Sequence, residues 1–520
     1  MTQHQKIKQL EEKLWKAASH MWAHWSLKPT EYTFPILGII FLKFANVKFD
    51  KIVKELEADG YDKQFIEPGD IHEKGWIYVP EKAKYEYLLS LPEQENIWKA
   101  INEAMEEIEK YNQRLLGVLP KDYERLTNEN LIYLLKTFNE IPQDLENDAF
   151  WQIYEYFMSN FEKEAGQKGW EFYTPNSLVK LIVEVIEPYK GKIFDPACGS
   201  GGMFVQTANY LKKRWLDPIK NLIVNWQELK STTIRIAKMN LAINGLEWDI
   251  KEANSLYEDK FDSIGKYDYV MANPPFNVDT FDAERVKNDP RYPFGIPKAK
   301  NANYLWIQMF YSALNEKWRA GFVMANSASD ARHSELEIRK ALIRQKVVDV
   351  MIAIWPQFFY TVTLPCTLWF LDKWKIWTDR EDKILFIDAK DIYIQVDRSH
   401  RAFTEQQIEF LWDIVRLYRW EKFEIKNELT KKYFPEWKYK DIPWLCKIAT
   451  LKEVEDQWRS LNPWRYVWIA QEDDLSDEDF KEKLENLTEE FKRLTQEAHS
   501  LESKILKNVE EILKEIKVNN

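Results

Sequence analysis

The stretch Lys192–Gly202, with the sequence KIFDPACGSGG, decides the fold class of this chain. It begins with a short run, Lys192–Phe194, that we predict to be a buried strand, and glycine follows at positions 199, 201 and 202. Glycine lets the backbone turn tightly and approach a ligand without a Cβ in the way. A helix predicted from Met203 adds oriented N–H groups at the end of the loop. This strand, loop and helix together predict a binding loop for a nucleoside cofactor. Similar glycine-rich loops occur in dinucleotide-binding proteins and in ordinary turns.

The surroundings of this stretch predict an α/β domain. From about residue 170 to 390, short β-rich runs alternate with helical segments, which is typical of a doubly wound, mostly parallel sheet. Ligands of such sheets bind beyond the carboxyl ends of the strands. The predicted strands are 192–194, 222–225, 267–272, 321–325, 348–354, 367–371 and 384–387, and the predicted helices are 177–187, 203–214, 232–244, 304–316 and 334–345.

A second motif, Asn273-Pro274-Pro275-Phe276, follows the predicted strand 267–272. The Asn273 amide oxygen and the Pro274 carbonyl can accept the two N–H groups of an exocyclic amino group, which favours a more nucleophilic nitrogen. The prolines stiffen this geometry, and Phe276 offers a stacking face to a base swung out of a duplex. An activated methyl group then needs mainly in-line positioning. The motif predicts methyl transfer from S-adenosylmethionine to adenine N6 in DNA, with cytosine N4 or a protein glutamine amide as alternative acceptors.

Three further positions complete the predicted cofactor pocket. Asp195 ends its strand, where it can orient the loop or the ammonium group of the cofactor. Glu228 ends the next predicted strand, where a carboxylate can accept hydrogen bonds from both ribose hydroxyls. Asn254 can contact the adenine of the cofactor. The chemistry needs neither a metal nor a covalent nucleophile, and Cys366 leads into an apolar run, so we expect it to be buried and inert.

Composition limits the class of protein further. The 520 residues suggest roughly three domains, and 45% hydrophobic residues allow a large core. The net charge of −11, from 73 basic and 84 acidic residues, lacks the basic footprint of a protein that grips DNA alone. Another chain is therefore expected to supply phosphate contacts. Three distant cysteines fit neither a disulfide framework nor a zinc site, and no apolar run spans a membrane, so we expect a cytoplasmic protein.

The chain divides into four predicted parts. Residues 1–165 form a helical domain, 166–400 the catalytic domain, and 401–470 an extension of helices and loops. Residues 471–520 form a helical segment for partner binding, whose apolar positions from Phe480 to Ile505 alternate spacings of four and three residues. Such a pattern predicts a coiled-coil seam, with a helix packed on its own domain as the alternative.

These motifs resemble the modification subunits of type I restriction–modification systems, which are DNA adenine-N6 methyltransferases. The resemblance covers almost the whole chain and includes Glu31–Lys43, Gln227-Glu228, Ala237–Leu241, Asn273–Asn277, Asn301–Tyr304 and Leu461–Pro463. It implies that Asn273, Pro274, Pro275 and Phe276 are catalytic. It also implies that S-adenosylmethionine is bound by Glu171, Phe172, Tyr173, Thr174, Pro175, Asn176, Asp195, Ala197, Gly199, Ser200, Gly201, Gly202, Glu228 and Asn254.

The resemblance also implies partners. Two such subunits assemble with one specificity subunit that reads the DNA, and a restriction subunit joins them for cleavage, so that modification protects host DNA. The acidic net charge and the C-terminal helical seam agree with a protein that works inside an assembly. A non-enzymatic alternative is an assembly subunit whose cofactor site has degenerated.

The departures from the family share one pattern: tryptophan stands where we expect glycine. The chain has 15 Gly and 23 Trp, whereas average usage predicts about 36 Gly. We hypothesise that some of these tryptophans are UGA codons that the source organism translates as glycine, the alternative being lineage-specific aromatic enrichment. An indole at Trp170 or Trp226, which flank Glu171 and Glu228, would obstruct the cofactor pocket. The positions are Trp151, Trp170, Trp226, Trp318, Trp355, Trp374, Trp420, Trp437, Trp444, Trp464 and Trp468.

Overall fold

A computed structural model gives the fold of the protein. It forms two compact units, residues 1–467 and residues 468–520. The residues that the structure describes are 3–22, 29–142, 153–154, 156–158, 160–161, 174–278, 281–298, 301–359, 365–397, 400–468, 488, 492–493 and 495.

The described part of the first unit contains eleven strands, nine of which form one sheet. They are β1 Gly191–Asp195, β2 Leu222–Glu228, β3 Ile250–Glu252, β4 Tyr267–Ala272, β5 Leu314–Ala325, β6 Val348–Ile354, β7 Cys366–Asp372, β8 Lys383–Asp388, β9 Ile394–Asp397, β10 His400–Ala402 and β11 Cys446–Thr450. The order in the sheet is β11-β8-β6-β7-β5-β4-β1-β2-β3, and β9 pairs with β10 separately.

Helices surround this sheet and also build the region before it. They are α1 Gln3–Trp22, α2 Pro29–Ala58, α3 Pro68–Glu73, α4 Tyr85–Ser90, α5 Ile97–Tyr111, α6 Asn128–Phe138, α7 Asn176–Ile186, α8 Gly202–Lys212, α9 Pro218–Asn221, α10 Ser231–Ile243, α11 Ala283–Val286, α12 Asn303–Ala313, α13 Ser334–Arg344, α14 Glu405–Tyr418, α15 Glu428–Tyr433, α16 Leu451–Asp456 and α17 Trp464–Val467.

Strand β4 shows why the sheet needs cover on both faces. Successive side chains of a strand point to opposite faces. Tyr269 and Met271 belong to one hydrophobic core, and Val270 and Ala272 to a second. The first core continues into the N-terminal helices. The predicted doubly wound α/β fold with a preceding helical region is therefore confirmed.

The strand directions place the carboxyl ends of the central strands side by side. Strand β1 pairs in parallel with β2 and β4, β2 with β3, and β4 with β5. The predicted strands are all present, and the helix predicted over 304–316 ends at Ala313 because β5 already begins at Leu314. Strand β7 runs antiparallel to both β5 and β6.

The edge strand β11, in the region after residue 400, was not predicted from the sequence. It pairs antiparallel with β8, with Ile448 opposite Leu385. Its sequence, CKIAT, lacks the long β-branched or aromatic run that marks a strand.

The N-terminal helices are tied to the sheet region through Arg235 in α10. Its guanidinium donates hydrogen bonds to the carbonyls of Val118 and Leu119, at 2.9 and 2.7 Å. The predicted C-terminal seam from Phe480 to Ile505 lies outside the described residues, apart from isolated positions. A search of the described helices finds none long and apolar enough to cross a membrane.

Candidate active site

The glycine loop, Asp195–Gly202, joins β1 to α8 at the carboxyl edge of the sheet. Gly199 and Gly201 adopt φ values of +53° and +78°, a region that residues with a Cβ rarely occupy. A Cβ built on Gly199 or Gly202 would meet no atom within 4 Å, so open space lies above the loop at both positions. The loop thus exposes its backbone to a ligand.

Two neighbours hold the glycine loop in place. The Gly199 N–H donates to Glu228 Oε2 at 3.1 Å, and the Asn240 side chain donates to the Ser200 carbonyl at 2.8 Å. Glu228 Oε1 also accepts the N–H groups of Leu229 and Lys230, at 2.8 and 3.0 Å. The carboxylate at the end of β2 is therefore a hub for backbone N–H groups of two adjacent loops.

Asp195 is a buried carboxyl group at the base of the loop. Its Oδ1 accepts the Ala197 N–H at 3.0 Å, which fixes the turn after β1. Burial is the main cause that raises the pKa of Asp195 to about 8; the Ala197 hydrogen bond lowers it, and the charge of Glu228 raises it further. Two neighbouring carboxyl groups in a buried place are stabilised by a bound cation.

Asn254 lies at the same edge, in the turn after β3. This turn is linked to the end of the neighbouring strand β2, because the Ala253 N–H donates to the Glu228 carbonyl at 2.9 Å. The Asn254 side-chain oxygen accepts the Leu256 N–H at 3.2 Å. Beneath it, Gln227 is buried and donates to Ser255 Oγ at 2.8 Å, and Ser255 Oγ donates to the Pro196 carbonyl at 2.6 Å.

The acceptor loop, Asn273–Phe276, follows β4, which is the direct neighbour of β1. The side-chain oxygen of Asn273 is shielded from solvent. The Phe276 ring lies edge-to-face against Phe359, with ring centroids 6.0 Å apart and an interplanar angle of 78°. Because parallel strands lie about 4.8 Å apart, the acceptor loop and the glycine loop begin side by side.

Three asparagines lie directly behind the acceptor loop, and we call them the amide clamp: Asn277, Asn301 and Asn303. The Asn277 N–H donates to Asn303 Oδ1, and Asn303 Nδ2 donates back to Asn277 Oδ1, both at 2.9 Å. Asn301 Nδ2 donates to the same Asn277 oxygen at 3.3 Å. Sequence reasoning gave these residues no role, and the repeated asparagine at 301 and 303 was the available signal.

The remaining predicted cofactor residues precede α7. Glu171, Phe172 and Tyr173 lie outside the described residues. Thr174 and Pro175 lead into the helix, and Asn176 is its first residue. Asn176 Oδ1 is buried and has no hydrogen-bond partner among the described residues.

Trp226 does not obstruct the pocket, in contrast to the expectation from the sequence. Trp226 is 2% exposed in β2 and packs edge-to-face on Phe204, with ring centroids 5.5 Å apart. Its Cη2 would lie 3.7 Å from a Cβ on Gly201, so the indole packs beneath the glycine loop. Trp170 lies outside the described residues. Burial raises the pKa of the Cys366 thiol well above its usual range, which agrees with an inert side chain.

The donor set of this edge fits S-adenosylmethionine. This cofactor is cationic at its ammonium and sulfonium groups and carries a ribose and an adenine. Glu228 supplies a carboxylate, and a bound cation would favour the charged form of the buried Asp195 carboxyl. The glycine loop supplies open backbone, and Asn254 supplies an amide at the next strand end. The site can hold a cationic nucleoside beside a second, stiff loop that presents hydrogen-bond acceptors.

Comparisons with known proteins agree with this geometry. Residues 145–475 match the sequence model of the N-6 DNA Methylase family, and residues 10–138 match that of the HsdM N-terminal domain. The MjaIX methylase subunit of a type I restriction enzyme from Methanocaldococcus jannaschii is 36% identical, over 96% of this chain and 90% of its own length. The HindI methylase subunit from Haemophilus influenzae is 35% identical, over 79% and 91%.

A solved structure shares the fold. The methyltransferase subunit of a type I restriction–modification system from Streptococcus thermophilus superimposes with a TM-score of 0.70 at 19% identity, covering 89% of this chain and 99% of its own. The family model spans more than half of this chain, and the relatives match it over most of their length. The chain belongs to the N-6 DNA methylase family, among the type I restriction enzyme methylase subunits, and is an S-adenosylmethionine-dependent DNA adenine-N6 methyltransferase.

Proposed function

We propose that the chain transfers the methyl group at a site formed by the glycine loop and the acceptor loop, as the modification subunit of a type I complex. One observation carries this proposal: the two loops leave the carboxyl ends of the neighbouring parallel strands β1 and β4. A cofactor on the first loop and a base on the second would therefore meet at one edge of the sheet.

The cofactor side of the site uses charge and exposed backbone. S-adenosylmethionine supplies a methyl group that its sulfonium already activates. Asp195 and the loop backbone from Ala197 to Gly202 would hold the methionine part, and Glu228 would accept the ribose hydroxyls. Glu228 Oε2 accepts the Gly199 N–H, and each oxygen of a carboxylate has two lone pairs. Thr174, Pro175, Asn176 and Asn254 would line the rest, together with residues 171–173.

The acceptor side would orient the adenine amino group. Asn273 Oδ1 and the Pro274 carbonyl would each accept one N–H of N6, and Pro275 would keep the loop stiff. Phe276, held against Phe359, would stack on the extruded base. Fixing the nitrogen in line with the methyl group removes much of the entropic part of the barrier.

The partners follow from charge and from the relatives. A chain with a net charge of −11 has no overall basic footprint for the phosphate backbone. We therefore assign DNA reading to a specificity subunit, with two copies of this chain per specificity subunit, in the cytoplasm. A restriction subunit would join the complex for cleavage. The relatives are named as methylase subunits of type I restriction enzymes, which supports such an assembly.

The test is to express the chain with and without its specificity subunit in a host that lacks DNA methylation, and to map modified bases in the genome. We expect N6-methyladenine at one sequence motif, and only when both chains are present. Methylation of cytosine N4 would contradict the acceptor. Motif-specific methylation by this chain alone would contradict the division of labour, and an unmodified genome despite cofactor binding would identify a degenerate subunit.

A further inference from the structure

The acceptor loop is fixed at both ends. At one end, β4 pairs with β1 and β5. At the other end, Asn277 adopts φ = +52°, in the left-handed region. Asparagine visits this region more readily than most residues, but the conformation still costs free energy unless the surroundings hold it.

The amide clamp supplies that support. Asn277 and Asn303 exchange two hydrogen bonds of 2.9 Å, one through the Asn277 backbone and one through its side chain. Asn303 is 1% exposed whereas Asn277 is exposed, so the pair is held from its buried Asn303 side. Such a paired arrangement fixes both the position and the rotation of the residue that follows Phe276.

Asn301 connects the clamp to the start of α12. Its Oδ1 accepts the N–H of Asn303, the first residue of that helix, at 2.9 Å. The first N–H groups of a helix have no partner within the helix. The amide of Asn301 thus satisfies one of them and donates to Asn277 Oδ1 at 3.3 Å.

We propose that Asn303 and Asn301 are positioning residues for methyl transfer, because they hold Asn277 left-handed and through it fix Asn273 and Pro274. This inference rests on the proposed function of the acceptor loop. Neither asparagine needs to touch the base or the cofactor. A displacement of about 1 Å at reacting groups can cost about 10²-fold in rate.

Substitutions at Asn277 separate backbone conformation from side-chain chemistry. Asn277→Gly keeps the N–H that donates to Asn303 and adopts positive φ without strain. Asn277→Ala keeps the N–H but opposes positive φ. Asn303→Leu removes both bonds of the pair at similar volume. Asn315→Ala is the matched control, because its amide donates to Asp268 at the opposite end of β4, at 2.7 Å.

The experiment measures kcat, cofactor affinity and unfolding temperature for the full chain in its complex with the specificity subunit. We expect Asn303→Leu and Asn277→Ala to lower kcat by about 10²-fold, with unchanged cofactor affinity. Asn277→Gly should lose clearly less than Asn277→Ala, because it keeps the backbone bond and relieves the strain, and Asn315→Ala should stay near wild type. Equal losses for Gly and Ala at position 277, a normal kcat for Asn303→Leu, or a matching loss of cofactor affinity would overturn the proposal. Failure of the unsubstituted complex to methylate adenine would instead refute the proposed function.

A separate observation concerns the ends of helices. Three helix ends carry glycine at the left-handed position of a Schellman motif: Gly60, Gly75 and Gly245. In each, the glycine N–H bonds the carbonyl three residues back, and the next N–H bonds the carbonyl five residues back. This motif favours glycine because the position requires positive φ.

Three other helix ends have the same hydrogen bonds with tryptophan at that position: Trp215, Trp420 and Trp458. Their φ values are 60°, 60° and 57°. Trp437 and Trp444 also have positive φ, at 56° and 68°. These five indoles are between 50% and 97% exposed, so burial does not compensate the strain of a bulky residue there.

Other tryptophans behave differently. Trp306 and Trp369 are 5% and 0% exposed in the second hydrophobic core, at negative φ. Of the positions suspected from sequence, Trp420, Trp437 and Trp444 have positive φ. The described positions without positive φ are Trp226, Trp318, Trp355, Trp374, Trp464 and Trp468, and Trp151 and Trp170 lie outside the described residues.

We infer that Trp215, Trp420, Trp437, Trp444 and Trp458 are glycines in the protein as its own cell makes it, encoded by UGA codons read as glycine. Trp306 and Trp369 are true tryptophans. Peptide mass spectrometry of the native protein, with the gene sequence, tests this directly. Glycine at the five positions and tryptophan at the two controls is expected; tryptophan at the five positions or UGG codons there would overturn the inference.

A variant pair tests the physical basis in the recombinant protein. Trp215→Gly should raise the unfolding temperature more than Trp215→Ala, because both remove the exposed indole and only glycine relieves the backbone strain. Gly60→Ala is the converse control, because it adds a Cβ at the left-handed position of an equivalent helix end. This substitution should lower the unfolding temperature. An alanine at position 215 that stabilises as much as glycine would contradict strain as the cause.

Discussion

The two loops of the proposed active site obtain their shapes by opposite means. The glycine loop is shaped by absent side chains, since Gly199 and Gly201 take positive φ values that a Cβ opposes. The acceptor loop is shaped by two prolines that fix φ and by an asparagine held left-handed by its neighbours. The first leaves backbone open to a ligand, and the second presents a fixed pair of acceptors.

Their anchors also differ in charge. The glycine loop is held by the carboxylate of Glu228, beside the buried carboxyl of Asp195. The acceptor loop is held by neutral amides. Negative charge suits a cationic cofactor, whereas neutral acceptors suit an uncharged amino group. The comparison predicts that substitutions in one loop impair cofactor binding and substitutions in the other impair transfer.

The largest effect is expected at Asn273. Asn273→Ala removes one of the two proposed acceptors, and loss of one such preorganised group costs on the order of 10²- to 10³-fold in kcat. Cofactor affinity, measured by calorimetry, should stay unchanged because no anchor of the glycine loop is altered. Asn273→Asp is the control that keeps an acceptor oxygen and should retain more activity. A parallel loss of cofactor affinity would show that the acceptor loop also contributes to cofactor binding.

A smaller effect, on cofactor affinity and not on kcat, is expected at Glu228. Glu228→Gln leaves one acceptor oxygen for three backbone N–H groups, so cofactor affinity should fall by about 10-fold, the equivalent of one charge-assisted hydrogen bond. The rate at saturating cofactor should stay near wild type. Glu252→Gln is the matched control, because Glu252 lies opposite Glu228 on β3 and is exposed. A reduced saturating rate with normal affinity would contradict the assignment.

Much of the fold and both loops could be predicted because their signals are local. Short, mostly apolar runs rich in β-branched residues, such as Val348–Ile354, indicate buried strands, and the glycine and proline motifs restrict their own backbone geometry. Strand β11 could not be predicted, because it depends on pairing with β8. Helix α12 ends at Ala313 because the next residue, Leu314, already begins β5 and pairs with β4.

The contacts of the amide clamp could not be predicted from the sequence for the same reason. Its partners, Asn277 and Asn303, are 26 positions apart and meet only because α12 begins beside the end of β4. The left-handed tryptophans show the converse case. Composition pointed to missing glycines, and only the backbone identified Trp215 and Trp458, which the comparison with the family had not included.

The smallest expected effect is on the pH dependence of the free energy of unfolding, through the Asp195 carboxyl at the base of the glycine loop. The pKa of Asp195 is raised from about 3.8 to about 8, mainly by burial. Between these values the folded protein keeps a proton that the unfolded chain releases, so stability falls as pH rises through this window. Asp195→Asn should remove up to about 1.4 kcal/mol per pH unit of this slope, as measured by denaturant unfolding between about pH 5 and pH 8.

The same pH dependence of unfolding is then measured with saturating cofactor. A bound cation favours the charged form of Asp195 and lowers its pKa, so the wild-type slope should flatten when S-adenosylmethionine is present, whereas the slope of Asp195→Asn should hardly change. Asn273→Ala should behave as wild type in both conditions, since the acceptor loop carries no titrating group in this window. Identical slopes for wild type and Asp195→Asn without cofactor would show that the charge difference between the two loops does not arise from Asp195.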